Sequence, residues 1–302
     1  MKIIITGSLG NISKALTQML VEQDHTVTVI SSKQERKKGI EELGAIAAIG
    51  TMEDVNFLTQ TFTGADIVYC MEASGYELLF DKNFDFMDAM TNVGNNYKQA
   101  IQQSGVKKVI HLSSTGAHTG KGIGLLASHY NVENILQQLP DDVIIKTMRP
   151  GGFYSNVLAF IPTIKSAGAI IQNYGGDKKQ PWVSPMDIAS VIAEEMELSF
   201  TERKIRYIAS DELSPNEMAR ILGEAIGKAD LKWVSIPDEQ MLNNMIAAGM
   251  NPAFAKGMIE MNAARINGVL YEDYFRNRPT LSNTKFNEYA KEFAVVYNNS
   301  NQ

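Results

Sequence analysis

Cysteine is almost absent from this 302-residue chain: Cys70 stands alone. A lone thiol excludes an internal disulfide and fits a reducing compartment. Long apolar runs are missing as well. No stretch reaches the roughly 18 uninterrupted apolar residues of a membrane-crossing helix. The first apolar run is cut by Gly7, too early for a secretory signal. Positive charge is in deficit, with 28 Lys and Arg against 34 Asp and Glu, a formal net charge of -6. Binding to nucleic acid needs a basic face, so no such partner is expected. The four histidines have no Cys or His neighbours at metal-ligand spacing, so no metal is expected. Repeats and low-complexity linkers are lacking too. These absences predict a cytoplasmic, soluble protein, off the membrane.

What is present begins at Lys2. The run Lys2-Ile3-Ile4-Ile5-Thr6 ends at Gly7, and Ile12, Ala15, Leu16, Met19 and Leu20 then recur at helical spacing. Strand, glycine turn and helix opening make the first half of a dinucleotide-binding βαβ unit. Gly7 would allow the sharp turn, and Gly10 a close backbone approach to a pyrophosphate. The turn Gly7-Ser8-Leu9-Gly10-Asn11-Ile12 would then present the unpaired amides of the helix start to that charge. Ser13 stands where a third glycine is expected. The competing reading is an ordinary strand–turn–helix with no ligand.

A second strand, Thr26 to Ile30, would carry an acidic residue at its end in an enzyme built for the NAD 2′-hydroxyl. Here Ser31, Ser32 and Lys33 follow, with Arg36 beyond. Hydroxyls and cations suit a 2′-phosphate, which favours NADP(H) over NAD(H). Lys37 and Lys38 read better as the solvated face of the next helix. Further strands are predicted over 45–49, 66–71, 108–112 and 143–148, with helices over 53–62 and 85–104. This alternation predicts an α/β fold with a doubly wound parallel sheet. Ligands in such sheets lie beyond the carboxyl ends of the strands, here also at Glu72-Ala73-Ser74-Gly75, Ser113-Ser114-Thr115 and Arg149 to Tyr154.

After Arg149 the alternation loosens. Pro150, Gly151 and Gly152 break the strand, and Phe153 and Tyr154 add aromatic mass. A helix opens at Pro185 with Ser184 as its cap, and Ser214-Pro215-Asn216-Glu217 has the form of a capping box. Strands are expected at 205–209 and 232–236, helices at 237–249 and 252–266, and a disordered polar tail at 298–302. The predicted division is a nucleotide-binding domain over 1–152, with a return of the chain near 183–200, and a smaller mixed α/β substrate domain over 153–302.

The ordered motifs Thr6-Gly7-x-x-Gly10, Gly64-Ala65-Asp66, Gly105-Val106-Lys107-Lys108, His129-x-x-x-Glu133, Arg149-Pro150-Gly151-Gly152-Phe153-Tyr154, Met186-Asp187-Ile188-Ala189 and Leu213-Ser214-x-x-Glu217 span nearly the whole chain. Together they resemble the NmrA-like group of atypical short-chain dehydrogenases, most of all its NADPH-dependent quinone oxidoreductase branch. The resemblance implies a Rossmann-type domain binding NAD(P)(H). It also implies either reduction of quinones or related electrophiles, or non-catalytic sensing of the NADP redox state through a regulator protein. A homodimer is another partner it allows. Short-chain dehydrogenases place Tyr four residues before Lys on one helix. Here the register gives Leu125 for the tyrosine and His129 for the lysine. Alcohol–ketone and sugar-epimerase chemistry by the usual triad is therefore not expected.

A quinone is an easier hydride acceptor, and an imidazole can serve its oxygen. The expected catalytic residues are His129, Ser113 and Tyr154. Phe153 and Tyr154 are expected to wall the nicotinamide, with Ser74, Gly75, Ser113 and His129 lining the ribose and nicotinamide. The Glu72-Ala73-Ser74-Gly75 loop is expected to flank the adenine and ribose, and Pro150 and Gly151 are expected among the cofactor-binding residues. Each has a plainer alternative: a surface position for His129, a backbone-bonded turn for Ser113, core packing for Phe153 and Tyr154. His111, within a strand, reads as structural.

Overall fold

The computed structural model describes residues 1–300. The first half alternates as expected: β1 (Lys2–Ile5), α1 (Ser13–Glu22), β2 (Thr26–Ser31), α2 (Lys37–Glu42), β3 (Ile46–Ile49), α3 (Val55–Phe62), β4 (Ile67–Cys70), α4 (Phe86–Ser104), β5 (Lys108–Leu112), α5 (Ala127–Gln137) and β6 (Ile144–Pro150). The second half holds β7 (Gly152–Phe153), α6 (Ile161–Ala167), β8 (Ala169–Gln172), β9 (Gln180–Val183), α7 (Pro185–Glu197), β10 (Lys204–Ile208), β11 (Asp211–Leu213), α8 (Pro215–Ala225), β12 (Lys232–Ser235), α9 (Asp238–Ala247), α10 (Pro252–Asn267), α11 (Glu272–Arg276) and α12 (Phe286–Asn299).

Seven parallel strands form the main sheet in the order β10-β6-β5-β4-β1-β2-β3. Successive residues of β1 serve opposite faces. Ile3 and Ile5 join a core shared with Leu16 and Leu20 of α1 and Ile188 and Ile192 of α7. Ile4 joins the other core, with Leu58, Tyr97, Val132 and Leu136 of α3, α4 and α5. This period-2 division needs a continuous apolar run, which Ile3, Ile4 and Ile5 supply. The order reverses between β1 and β4, so a crevice opens there at the carboxyl edge. Thr6 holds that edge closed below the crevice: its amide and hydroxyl donate to Tyr69 O, both at 3.1 Å, and its Oγ1 accepts from the Met71 amide at 2.9 Å.

A second core lies around Trp182, Trp233, Phe286 and Phe293. Two small sheets serve it, β11-β9-β7 and β12-β8. Ser184 caps α7 as expected, and Ser214 with Glu217 forms the capping box on α8. One expectation fails: Asn298 and Asn299 belong to α12, with Ser300 as its cap, because Phe286, Ala290, Phe293 and Tyr297 give that helix a buried face. Residues 301 and 302 of the predicted tail lie outside the described ones. No helix among the described residues is long and apolar enough to cross a membrane.

Candidate functional site

Two cavities lie along the carboxyl edge of the main sheet. The first, about 280 Å³, is lined by Gly7 and Ser8 after β1, Ser31, Ser32 and Arg36 after β2, Thr51 and Glu53 after β3, and Ala73, Ser74 and Gly75 after β4. The second, about 300 Å³, is lined by Met71 and Glu72 after β4, Ser113 to Thr115 after β5, Gly151 to Phe153 after β6, His129 of α5, and Met261, Arg265, Leu270 and Tyr271 from the second half. Gly7 and Met71 meet between them: a Cβ on Gly7 would fall 2.4 Å from Met71 Sδ and 2.6 Å from Ser13 Oγ. Gly7 also sits at φ +86°, where a side chain is strained. Both the close approach of Met71 and Ser13 and the positive φ favour glycine here. Ser13, where a third glycine was expected, is buried and donates its hydroxyl to Thr6 O at 2.9 Å. The substitution thereby ties strand to helix rather than forcing them apart.

The first cavity has no carboxylate at the end of β2. Ser31 Oγ accepts from Ser8 Oγ at 2.9 Å and from the Lys33 amide at 3.2 Å. Lys33 is exposed and does not line the cavity, whereas Arg36, one turn on, does. Lys37 and Lys38 pair along the helix with Glu41 and Glu42, as a solvated face does. Glu53 brings an acid to the rim from the far side. Leu9, Gly10 and Asn11 line a different groove, of about 580 Å³, between α1, α7 and α12, and the Ile12 side chain is core.

In the second cavity a cluster appears that sequence reasoning missed. Glu72, just past β4, is buried and accepts from His111 Nε2 at 3.1 Å, with His129 Nδ1 3.8 Å from its other oxygen. Burial alone pushes His111 down, but the charge and hydrogen bond of Glu72 outweigh it and leave its pKa raised. For His129, burial and the neighbouring His111 outweigh Glu72, and its pKa is lowered. The side chain of His129 keeps 24% exposure, so its Nε2 is the nitrogen left for a ligand. The signal was the parallel register Cys70↔His111, which only the sheet reveals.

Ser113 donates to Glu133 Oε1 at 2.5 Å, and Arg149 clamps both Glu133 oxygens at 2.9 and 2.6 Å. Arg149 also reaches Asp273 Oδ2 at 3.3 Å and Tyr207 at 2.9 Å. The hydroxyl proton of Ser113 is thus committed, and only its lone pair faces the cavity. Tyr154 is corrected outright. It is fully buried in the second core and donates to Asp211 Oδ2 at 2.8 Å and Thr284 O at 3.2 Å. Burial and Asp211 raise its pKa, and it does not line the cavity. Phe153 and Gly151 do line it, while Pro150 completes β6 and does not.

Leu125, at the usual tyrosine position, is buried in a short 3-10 turn (Gly124–Leu126) crossed by α10. A Cβ on Gly257 of α10 would fall 2.6 Å from Leu125 Cδ2, and one on Gly124 only 2.0 Å from Gly257 O. Leu125 thus packs against α10, while Leu126 of the same turn lines the second cavity.

The doubly wound parallel sheet, with its crevice at the switch between β1 and β4, defines a Rossmann-type fold. The chain belongs to the NmrA-like family, whose profile matches residues 1–284. Among curated relatives it is 20% identical over 195 residues to the mitochondrial NADH-ubiquinone oxidoreductase 40 kDa subunit of Neurospora crassa, a match over 63% of this chain. The chain spans about half that relative's length, 50%. Its fold matches the Escherichia coli NADPH-dependent quinone oxidoreductase QOR2 complexed with NADPH, with TM-score 0.78 at 18% identity over 96% of this chain and 99% of that one. It also matches the triphenylmethane reductase of Citrobacter sp., with TM-score 0.76 at 18% identity over 98% and 100%.

Proposed function

We propose that this protein is an NADP(H)-dependent oxidoreductase that reduces quinones or similar flat electrophiles by hydride transfer. The observation that carries the reading is the pair of cavities meeting at Gly7 and Met71. One has hydroxyls and Arg36 where a 2′-phosphate would sit; the other has flat walls from Met71, Leu112 and Phe153 around a single imidazole. The similar fold of a quinone oxidoreductase complexed with NADPH supports it. The amides of the first turn, with Ser31, Ser32 and Arg36, would hold the dinucleotide. Ser74 and Gly75 would flank its adenosine end, and Ser113, Gly151, Phe153 and His129 its other end.

The reduced nicotinamide supplies hydride when bound. The protein's own part is to exclude water and serve the substrate oxygen. His129 Nε2 would donate the proton that balances the hydride. Glu72, hydrogen-bonded to the buried His111, lies 3.8 Å from His129 Nδ1 and would favour the protonated ring, which would take its next proton from solvent at its exposed edge.

A direct test mixes the protein with NADPH and a panel of quinones and follows reduced-nicotinamide absorbance. Turnover should appear, and His129→Ala should lower kcat by roughly 10²-fold, the low end for losing a positioned proton donor. Tight NADPH binding with no turnover across the panel would instead favour a non-catalytic NADP sensor acting through a regulator protein. The buried Leu125 is the feature that favours that second reading, and it also counts against a sugar epimerase. A cytoplasmic location and a homodimer remain part of the proposal.

A further inference from the structure

Two arginines are buried beside the second cavity, and they are treated differently. Arg149 has Glu133 on two of its nitrogens and Asp273 within 3.3 Å. Arg265, in the last turn of α10, is 9% exposed and has no acid within salt-bridge distance among the described residues. Its Nη1 donates to Tyr271 Oη at 2.9 Å and Gln180 Oε1 at 3.2 Å, both neutral. The faces of Tyr174 and Trp182 lie 5.1 and 5.7 Å from its guanidinium carbon. Its Nε is buried with no hydrogen-bond partner. Rings on its flanks and two acceptors on one nitrogen leave the Nε edge of a fixed, planar donor fork uncommitted.

A buried guanidinium normally carries a carboxylate partner, since its charge is costly to strip of water. The position of Arg265 near a helix C-terminus eases that cost, but supplies no acceptor for Nε. The only carboxylate lining the cavity, that of Glu72, is already shared between His111 and His129. We propose that Arg265 selects substrates whose flat ring carries an anionic oxygen group, such as a carboxylate or an ionised hydroxyl. This rests on the cavity being the substrate end of the cleft. The fork would pair with the anion while the ring lies against Phe153 and Leu270. Charge-assisted, two-point contacts of this kind give orientation as well as affinity. The electrophilic carbon would then be held in one register in front of His129.

The test is equilibrium binding of a matched pair of non-reacting probes, 2-naphthoate and naphthalene-2-carboxamide, to the full chain with and without NADP⁺. The wild-type protein should hold the carboxylate at least about tenfold more tightly, the lower bound for a hydrogen bond to a charged group. Arg265→Gln should erase that preference, and Arg265→Lys should keep part of it. Equal affinity of the wild-type for the two probes overturns the proposal, and this comparison needs no variant to fold. Retention of the preference in a folded Arg265→Gln protein overturns it too. So does a loss confined to NADPH affinity, which would assign Arg265 to the cofactor. If no quinone is reduced but the carboxylate preference stands, the oxidoreductase reading fails and the anion site survives.

Discussion

Replacing Glu72 by glutamine should lower stability more in mild acid than in mild alkali. The substitution keeps an acceptor and removes a charge. In the native protein His111 donates to Glu72 at 3.1 Å with no exposure to solvent, and its pKa is raised. A raised histidine pKa stabilises the fold fully below the unfolded value of about 6.5, and that contribution fades as pH climbs through the folded value. Without the carboxylate, burial is the largest influence left on His111, with Glu133 and Arg149 opposing each other, and the shift turns downward. The variant then loses stability as pH falls, because unfolding lets the ring take up its proton. His129 acts in the same direction, since Glu72 is the first of the groups opposing its depression. A hydrogen bond to a charged group is worth roughly 1.5–3 kcal/mol, which at about 2–4 °C per kcal/mol gives a fall in Tm of roughly 3–12 °C. Thermal melts of both proteins at pH 5.5 and 8.5, with NMR titration of the imidazoles, measure it. An equal deficit at both pH values, or a larger one at pH 8.5, would refute the reasoning.

Three further outcomes are expected. Gly7→Ala puts a Cβ into Met71 and Ser13 at positive φ, where the backbone alone costs about 1–2 kcal/mol; fluorescence titration should show NADPH affinity falling at least about tenfold, and undiminished affinity would remove the pyrophosphate from this turn. Arg36→Glu should cut the preference for NADPH over NADH by roughly tenfold or more, the worth of one charge-assisted contact, while leaving NADH binding nearly unchanged. Glu133→Ala leaves the Arg149 guanidinium without its bidentate partner and should cost about 3–5 kcal/mol in chemical unfolding; a loss under about 1 kcal/mol would show that Asp273 and water suffice.

The main sheet was legible because its strands are short β-branched runs that stop at glycine or serine, and such runs have few other uses. Lys108–Leu112 falls where the sequence puts it, and the other edges move by a residue or two where caps such as Asp54 and Asp85 take the first position. Of the small sheets only β12 was legible, at Lys232–Ser235. β9 contains Pro181, which argues against a strand, and β8 is only four residues long. α12 was missed although Phe286, Ala290, Phe293 and Tyr297 carry a clear helical period. In the site, the glycine turn could be read locally, while His129 was singled out only through the register of the resemblance. The charge partners could not: Glu72 and His111 are 39 positions apart, and Tyr154 meets Asp211 57 positions away. Only the folded chain shows which hydroxyl is spent and which guanidinium is not.

The close crossing of α10 over the Gly124–Leu126 turn makes the missing phenol hard to restore. A tyrosine introduced at position 125 would need room that Gly257 gives only to a leucine, and Gly124 cannot retreat because the α10 backbone already lies against it. Recovering the usual dehydrogenase acid would take a displaced helix, and with it a displaced Arg265. The same helix that closes on this turn carries Arg265 in its last turn, so a change at position 125 or 257 would be felt at that guanidinium as well.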